Sequence, residues 1–359
     1  MSYARSLIAV TVTALALSSS PAFAFKVGIA LPTQEQERYF VEGPQLLQAL
    51  KSKGFEADLF YGGEGVNEIQ LRQIPRMIKE GCNVIVLCAI DGEAFGEVLK
   101  EAKQKNVKII SYDHLVMNSD AVTYYVAYDN EKVGEAQGRY IEQALHLADG
   151  NSGYRIEVFA GAMDDNNSHF FLDGAMKVLK PYIDNGQVTI PSGQTKLEEV
   201  NIVNWSTENA LKRMDSLVQS QGYGPDKGRL DAVLSPNDTI GIGIVKSLKK
   251  AGYTPQNFPV VTGQDGETAA IAAIDEGYMG MTVFKDPVKL VDRVVTMVSE
   301  ISSGGTVEIN DNHTYNNGAK VVDAYLVTPT VVDRSNLKQI MLDSGKITKE
   351  QLQNAKNSL

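Results

Sequence analysis

The sequence predicts an α/β chain built as two doubly wound parallel-sheet lobes joined by a multi-strand hinge. Three observations carry this. Short apolar segments rich in β-branched residues alternate with amphipathic segments of about a dozen residues, the pattern of strands joined by right-handed helical crossovers. The alternation runs once to about residue 129 and then starts again. The strand segments repeatedly end in polar residues, where parallel sheets hold small molecules.

In the first run, FKVGIAL (25–31) stops at Pro32 and reads as a buried strand, followed by the polar stretch PTQEQERYF and a helix over 42–53. EADLFYG (56–62) is a second strand, and 68–80 is a helix in which Pro75 would introduce a kink. NVIVLCA (83–89) is the third strand, then come helix 93–105, strand 107–113 and strand 123–129. The second run opens with helix 131–148 and continues with strand 154–161, helix 172–183, strand 187–193 and helix 207–222. Strand 230–236 precedes helix 240–252, strand 258–266 precedes helix 268–277, and strand 278–284 precedes helix 287–303. The remainder, AKVVDAYLVTPTVV and short helices near 335–342 and 348–356, is too small for a third domain. The chain is therefore expected to return to the first lobe near Lys285. The expected division is 25–128 with 285–318, 129–284 with 319–334, and a helical tail over 335–359. Lobes tied by several short strands form a hinged cleft.

Residues 1–24 read as a cleaved export signal. Arg5 precedes the apolar run LIAVTVTALAL, and Ala-Phe-Ala supplies the small-x-small form of a peptidase site. The run falls short of the about 20 residues a spanning helix needs, and with no cysteine at the cleavage point a lipid anchor is not expected. A periplasmic, soluble chain follows as an expectation. The formal charge of −10, without a basic cluster, argues against nucleic acid or anionic lipid as a partner. Cys82 and Cys88 bracket an extended segment, which would hold their sulfurs roughly 20 Å apart, beyond disulfide reach. His114, His146, His169 and His313 are widely spaced, and no CxxC occurs, so no metal is expected.

No dinucleotide fingerprint, phosphate loop or nucleophile elbow is present. The strand ends present Arg38, Asp91, Asp113-His114, Asp165-Asn166-Asn167 with His169, Asn237-Asp238, Gln264-Asp265 and Lys285. Trp205, Tyr39 and Phe40 add aromatic faces. Carboxylates accept several hydrogen bonds, amides both donate and accept, and arginine and lysine donate several. Together they suit a neutral polyhydroxy ring whose hydroxyls must each be paired once buried, with aromatic rings against its C–H faces. Each residue also has a structural reading. Asp113, Asp265 and Asn237-Asp238 could cap the segments that follow, Asp91 suits a turn, Trp205 could be core, and His169 could be a solvated helix start.

At VGIALPTQEQERY, IISYDHLV, DDNNSHFFLDGAMKVLKPYIDNG, DAVLSPNDTIGIGIVKSL, VVTGQDGE and MTVFKDP the chain resembles a family. It is similar to the periplasmic sugar-binding proteins of the ribose, galactose and xylose type, solute receptors of ABC importers with a type I periplasmic-binding-protein fold. It is most like the xylose-binding and multiple-monosaccharide-binding branch. The resemblance implies ligand positions at Arg38, Tyr39, Asp113, His114, Asp165, Asn167, Asn237, Asp265 and Lys285, with Trp205 as an aromatic wall; His169, beside the Asp165-Asn166-Asn167 loop, is a further candidate by its position. Where the family commonly has arginine, this chain has His114, which exchanges a rigid fork of donors for a group whose hydrogen bonding depends on tautomer and protonation. The resemblance further implies a monomer that captures an aldopentose or aldohexose without cofactor or metal and hands it to an ABC permease, with a chemoreceptor as a second partner. Two alternatives stand beside it: a sugar sensor without transport, and a sugar-modifying enzyme with Asp113 and Asp265 as its acid/base pair.

Overall fold

The computed structural model describes residues 25–63 and 66–359; the expected export signal at 1–24 lies outside them. The first lobe is assembled from β1 (Lys26–Leu31), α1 (Glu37–Ser52), β2 (Glu56–Tyr61), α2 (Asn67–Lys79), β3 (Val84–Leu87), α3 (Gly96–Gln104), β4 (Lys108–Tyr112) and β5 (Val122–Tyr128). The second contains α4 (Asn130–Ala144), β6 (Tyr154–Val158), α5 (Asn167–Asp184), β7 (Val188–Thr189), α6 (Leu197–Val200), α7 (Thr207–Gln221), β8 (Ala232–Leu234) and α8 (Asp238–Lys250). It continues through β9 (Val260–Val261), β10 (Gln264–Asp265), α9 (Thr268–Glu276) and β11 (Met281–Phe284). The chain then crosses to α10 (Pro287–Ser302) and β12 (Asp323–Val327), and finishes with β13 (Thr330–Asp333) and α11 (Lys349–Ser358).

The doubly wound, two-lobed class is as expected. The first sheet has the order β12-β5-β4-β3-β1-β2, with every pairing parallel. The second lobe holds the parallel set β7-β6-β8-β9 and a smaller set, β10-β11-β13, whose last strand is antiparallel. Apolar residues cover both faces of the first sheet. Leu46, Leu50, Val291, Val294 and Val298 of α1 and α10 lie on one side, and Ile74, Met77, Leu99 and Ala102 of α2 and α3 on the other. Each side chain so buried contributes about 1.5–3 kcal/mol. That burial holds the strand ends in place beneath the cleft.

The expected return of the chain to the second lobe at residue 319 is wrong. Asp323–Val327 pairs in register with Tyr124–Tyr128 of β5, so the first lobe keeps the chain to Val327, and only β13 belongs to the second lobe. The apolar run AKVVDAYLVTPTVV conceals two strands because Pro329 interrupts it between the lobes. Three crossings therefore make the hinge, at Asp129, Lys285 and 328–329. They are tied to one another: Asp129 donates its amide to Val327 O at 3.0 Å, and Tyr128 donates its hydroxyl to Asp286 O at 2.8 Å.

Several boundaries also move. α1 begins at Glu37 rather than 42 and runs through Gly43-Pro44, because Glu, Arg and Tyr over 37–39 continue its first turn. α5 begins at Asn167 rather than 172, and α2 passes through Pro75. The expected strand 187–193 is only two residues long, since Gly193 donates to Ile190 O and closes a turn after Pro191. Strand 258–266 is split at Gly263, where a side chain would meet the Asp238 carboxylate; a Cβ there would lie 2.1 Å from Oδ1. Cys82 and Cys88 are both buried and free. No described helix is long and apolar enough to cross a membrane.

Candidate functional site

The carboxyl ends of strands from both lobes face one gap. The first lobe supplies Gln36, Arg38, Tyr39, Asp113 and His114; the second supplies Asp165, Asn167, Phe171, Trp205, Asn237, Gln264 and Asp265; Lys285 enters from the hinge.

Arg38 organises the first-lobe side. It rides the opening turn of α1, so its guanidinium points back over the ends of β1 and β4. Nε donates to Glu42 Oε1 at 2.8 Å, one turn along the helix, and Nη1 donates to Asp113 Oδ2 at 2.8 Å. Glu42 in turn accepts from the buried Tyr112 hydroxyl at 2.5 Å, so the guanidinium cannot swing away. Tyr39 also donates to Asp113 Oδ2, at 2.9 Å. Burial by itself would raise the Asp113 carboxyl's pKa, but Arg38, Lys285 and His114 hold it well below the usual carboxylate range. Asp113 is thus a permanent anion with Oδ2 engaged and Oδ1 turned to the gap.

His114 follows on the same loop. Its Nδ1 lies 2.8 Å from Ala89 O, and its Nε2 lies 3.1 Å from the Tyr39 hydroxyl and 3.2 Å from Asp165 Oδ2, across the lobe boundary. Asn167 is a brace between lobes. Its Nδ2 donates to Asp113 O at 2.8 Å, while its Oδ1 accepts from Asn130 at 2.8 Å and Tyr125 at 3.1 Å.

On the second-lobe side Trp205 crosses beside Gly161, where a Cβ would lie 2.0 Å from the indole Cη2. Phe171, one helical turn beyond Asn167, meets Trp205 edge-on with centroids 6.3 Å apart and carries Lys285 Nζ 5.0 Å above its ring. Asn237 caps α8, its Oδ1 accepting from Ile240 N at 3.0 Å, and still lines the gap; the capping and lining roles coexist. Its neighbour Asp238 turns away and braces the loop bearing Asp265. Asp238 Oδ2 accepts from Gly266 N at 2.9 Å, Glu267 N at 2.8 Å and Thr282 Oγ1 at 3.0 Å. Burial, with Glu267 and Asp265 close by, pushes the Asp238 carboxyl well above its ordinary range.

Asp113, Trp205 and Asp265 all have positive φ, at 61°, 55° and 101°. Such backbone costs about 1–3 kcal/mol per residue and persists where the surroundings impose it, commonly at ligand sites. Five buried polar atoms around the gap have no hydrogen-bond partner among the described residues: Arg38 Nη2, Asp113 Oδ1, Trp205 Nε1, Gln264 Oε1 and Asp265 Oδ1. Lys285 Nζ stands 3.7 Å from both carboxylate Oδ1 atoms. Leaving a buried donor or acceptor bare costs about 1–3 kcal/mol. Donors and acceptors both border this one gap, a mixture complementary to hydroxyls, each of which donates once and accepts.

His169 is a correction. With α5 starting at Asn167, residue 169 falls on the helix's outer side, where it is exposed and lines a separate groove with Leu172, Asp173 and Lys180. Asp91 holds a turn, accepting from Glu93 N at 2.9 Å, and does not line the gap. Gln36, Phe171 and the bracing residues Glu42, Tyr112 and Asn130 escaped the sequence reading; the signal for Phe171 was its i+4 spacing from Asn167. Folding also gathers metal-capable atoms of Cys88, Asp113 and His114 within 4.8 Å. Their chemistry does not suit an ion. Burial and the Asp113 charge keep the Cys88 thiol protonated, Asp113 Oδ2 already serves two donors, and Arg38 stands against it.

Comparison with known proteins agrees with this geometry. Residues 27–306 match the family model described as periplasmic binding protein domain. The chain is 46% identical to the multiple sugar-binding periplasmic protein SbpA of Azospirillum brasilense, over 90% of both chains. It is 41% identical to the multiple sugar-binding periplasmic receptor ChvE of Rhizobium radiobacter, over 97% of this chain and 99% of the other. A solved ABC-transporter solute-binding protein from Clostridium phytofermentans, with bound β-D-glucose, superposes with TM-score 0.87 at 40% identity, covering 91% of this chain and 99% of that one. The chain belongs to the periplasmic binding protein family, as a sugar-binding protein of ABC transport with the type I fold.

Proposed function

We propose that this protein is exported, captures a single monosaccharide between its lobes and delivers it to the permease of an ABC importer. The sugar is an aldopentose or aldohexose of the xylose, glucose or galactose kind. The observation that carries the reading is the ring of five unpartnered buried polar atoms, of both hydrogen-bonding senses, contributed by both lobes to one gap. A sugar that pairs with both sets at once stabilises the closed state by its differential contacts with that state. Closure also excludes water, which strengthens each hydrogen bond and raises the cost of a missing one.

Arg38 Nη2 and Lys285 donate to ring hydroxyls, Asp113 Oδ1, Asp265 Oδ1 and Gln264 Oε1 accept from them, and Trp205 and Phe171 bound the apolar faces. The closed pair of outer surfaces is what the permease reads, and a chemoreceptor would read the same surfaces. Native mass spectrometry of the purified protein, thermal-shift assays over aldoses, ketoses and sugar acids, and NMR of the recovered ligand test this. A shift with at least one aldose and its return unchanged is expected. No shift with any sugar, or a chemically altered product, would overturn it.

A further inference from the structure

The surroundings of His114 leave one proton to be accounted for. The ring's Nδ1 faces Ala89 O at 2.8 Å, and a carbonyl can only accept, so Nδ1 carries a hydrogen. Nε2 of a neutral ring would then be a bare lone pair, yet it lies 3.2 Å from Asp165 Oδ2, also an acceptor when ionised. The Tyr39 hydroxyl has one hydrogen to give. Placed on Nε2 it leaves Asp113 Oδ2 without it and does nothing for Asp165. A proton between Nε2 and Asp165 Oδ2 resolves every contact. Nδ1 donates to Ala89, Tyr39 donates to Asp113, Nε2 and Asp165 Oδ2 stand as an ion pair at 3.2 Å, and Asp165 Oδ1 keeps the Asn167 amide at 2.9 Å.

Charge points the same way. The groups facing this pair are Arg38 and Tyr39 from α1, Cys88 from the end of β3, Asp113 from β4, Asp164 from the loop before α5, and Lys285 from the hinge. Arg38 and Lys285 are shared among Glu42, Asp113 and Asp265, and neither cation lies within ion-pair distance of Asp165, whose charged contact is His114. Burial raises the Asp165 carboxyl's pKa above its usual range, with His114 opposing. His114 belongs to the first lobe and Asp165 to the second, so the contact is made only where the lobes meet.

We propose that sugar capture by this protein takes up one proton, held between His114 Nε2 and Asp165 Oδ2 in the closed state. The inference rests on reading the gap as the sugar site and makes His114 and Asp165 positioning residues that couple closure to pH. The contact is lost when the lobes part, so the proton that remakes it is drawn from solvent. Affinity then falls as pH rises, by up to about tenfold per unit.

The test is isothermal titration calorimetry with D-glucose and D-xylose at pH 7.5 in phosphate, HEPES and Tris. These buffers differ in ionisation enthalpy, so the dependence of the observed heat on buffer counts protons. About one proton taken up per sugar is expected, with a dissociation constant that rises from pH 5.5 to 8.5. His114→Gln and Asp165→Asn, near-isosteric and non-titrating, should each lose the uptake and flatten the pH profile. Sugar binding without proton uptake in the wild-type chain, or an unchanged pH slope in either variant, overturns the inference and leaves the sugar reading standing. No heat with any aldose at pH 5.5 overturns both.

Discussion

Glu37, at the start of α1 in the first lobe, accepts two hydrogen bonds from Thr268 at the start of α9 in the second, from its amide at 3.1 Å and its hydroxyl at 2.5 Å. A carboxylate from one lobe therefore covers the positive end of a helix in the other. This latch lies on the surface, outside the gap. Exposed ionic contacts of this kind are worth little individually. Glu37→Ala is expected to weaken sugar binding about two- to fivefold, chiefly through faster dissociation, and to lose its effect at high salt. Stopped-flow dissociation rates at 20 mM and 500 mM NaCl check this.

Asp265→Ala removes an acceptor 3.6 Å from Arg38 and 3.7 Å from Lys285. The cations then lose part of their balance and the sugar loses a partner. A loss of about 2–5 kcal/mol in binding is expected, by comparison with truncation of other buried charged partners. Calorimetry on the purified variant decides; unchanged affinity would remove Asp265 from the site.

Gly161 gives Trp205 its place, since a Cβ there would overlap the indole at 2.0 Å. Gly161→Ala should cost about 1–3 kcal/mol in urea unfolding. It should also lower sugar affinity, by about tenfold for each 1.4 kcal/mol by which the displaced indole packs less well on the sugar. Trp205 is the only tryptophan in the chain. Intrinsic fluorescence of the wild-type protein should therefore change on titration with D-glucose, and the change should be lost in Trp205→Phe.

Asp238 shows how a residue outside the gap shapes it. Its Oδ2 gathers three donors and holds the 265–267 loop in its strained conformation. Asp238→Ala should lose about 2–4 kcal/mol of stability, because the Glu267 amide and the Thr282 hydroxyl lose their acceptor and Gly266 N keeps only its contact with Thr282 Oγ1. Asp238→Asn keeps an acceptor oxygen and should lose less than half as much. Equal losses in the two variants would show that the hydrogen bonds are not what the carboxyl contributes.

The two-lobed architecture and most of the cleft were legible in the chain because both are written in short-range patterns. Parallel strands buried on two faces read as continuous apolar runs, and their polar ends stand out sharply against them. Arg38, Tyr39, Asp113, His114, Asp165, Asn167, Trp205, Asn237, Asp265 and Lys285 all line the gap, as their positions at strand ends led one to expect. His169 was misplaced by a local error. It was expected in the loop before α5, but the helix starts at Asn167 and places residue 169 in its first turn on the exposed face.

The amino-acid sequence by itself determined the alternation of strands and helices, its restart as a second lobe, and which side chains sit at strand ends, since each depends on neighbours a few residues away. Only the tertiary structure decided that β12 remains in the first lobe, that Asp238 braces a loop nearly thirty residues further on, and that His114 meets Asp165. Those are contacts between segments far apart in the chain. Sequence spacing carries no record of their distances; packing of the two sheets and closure at the hinge set them.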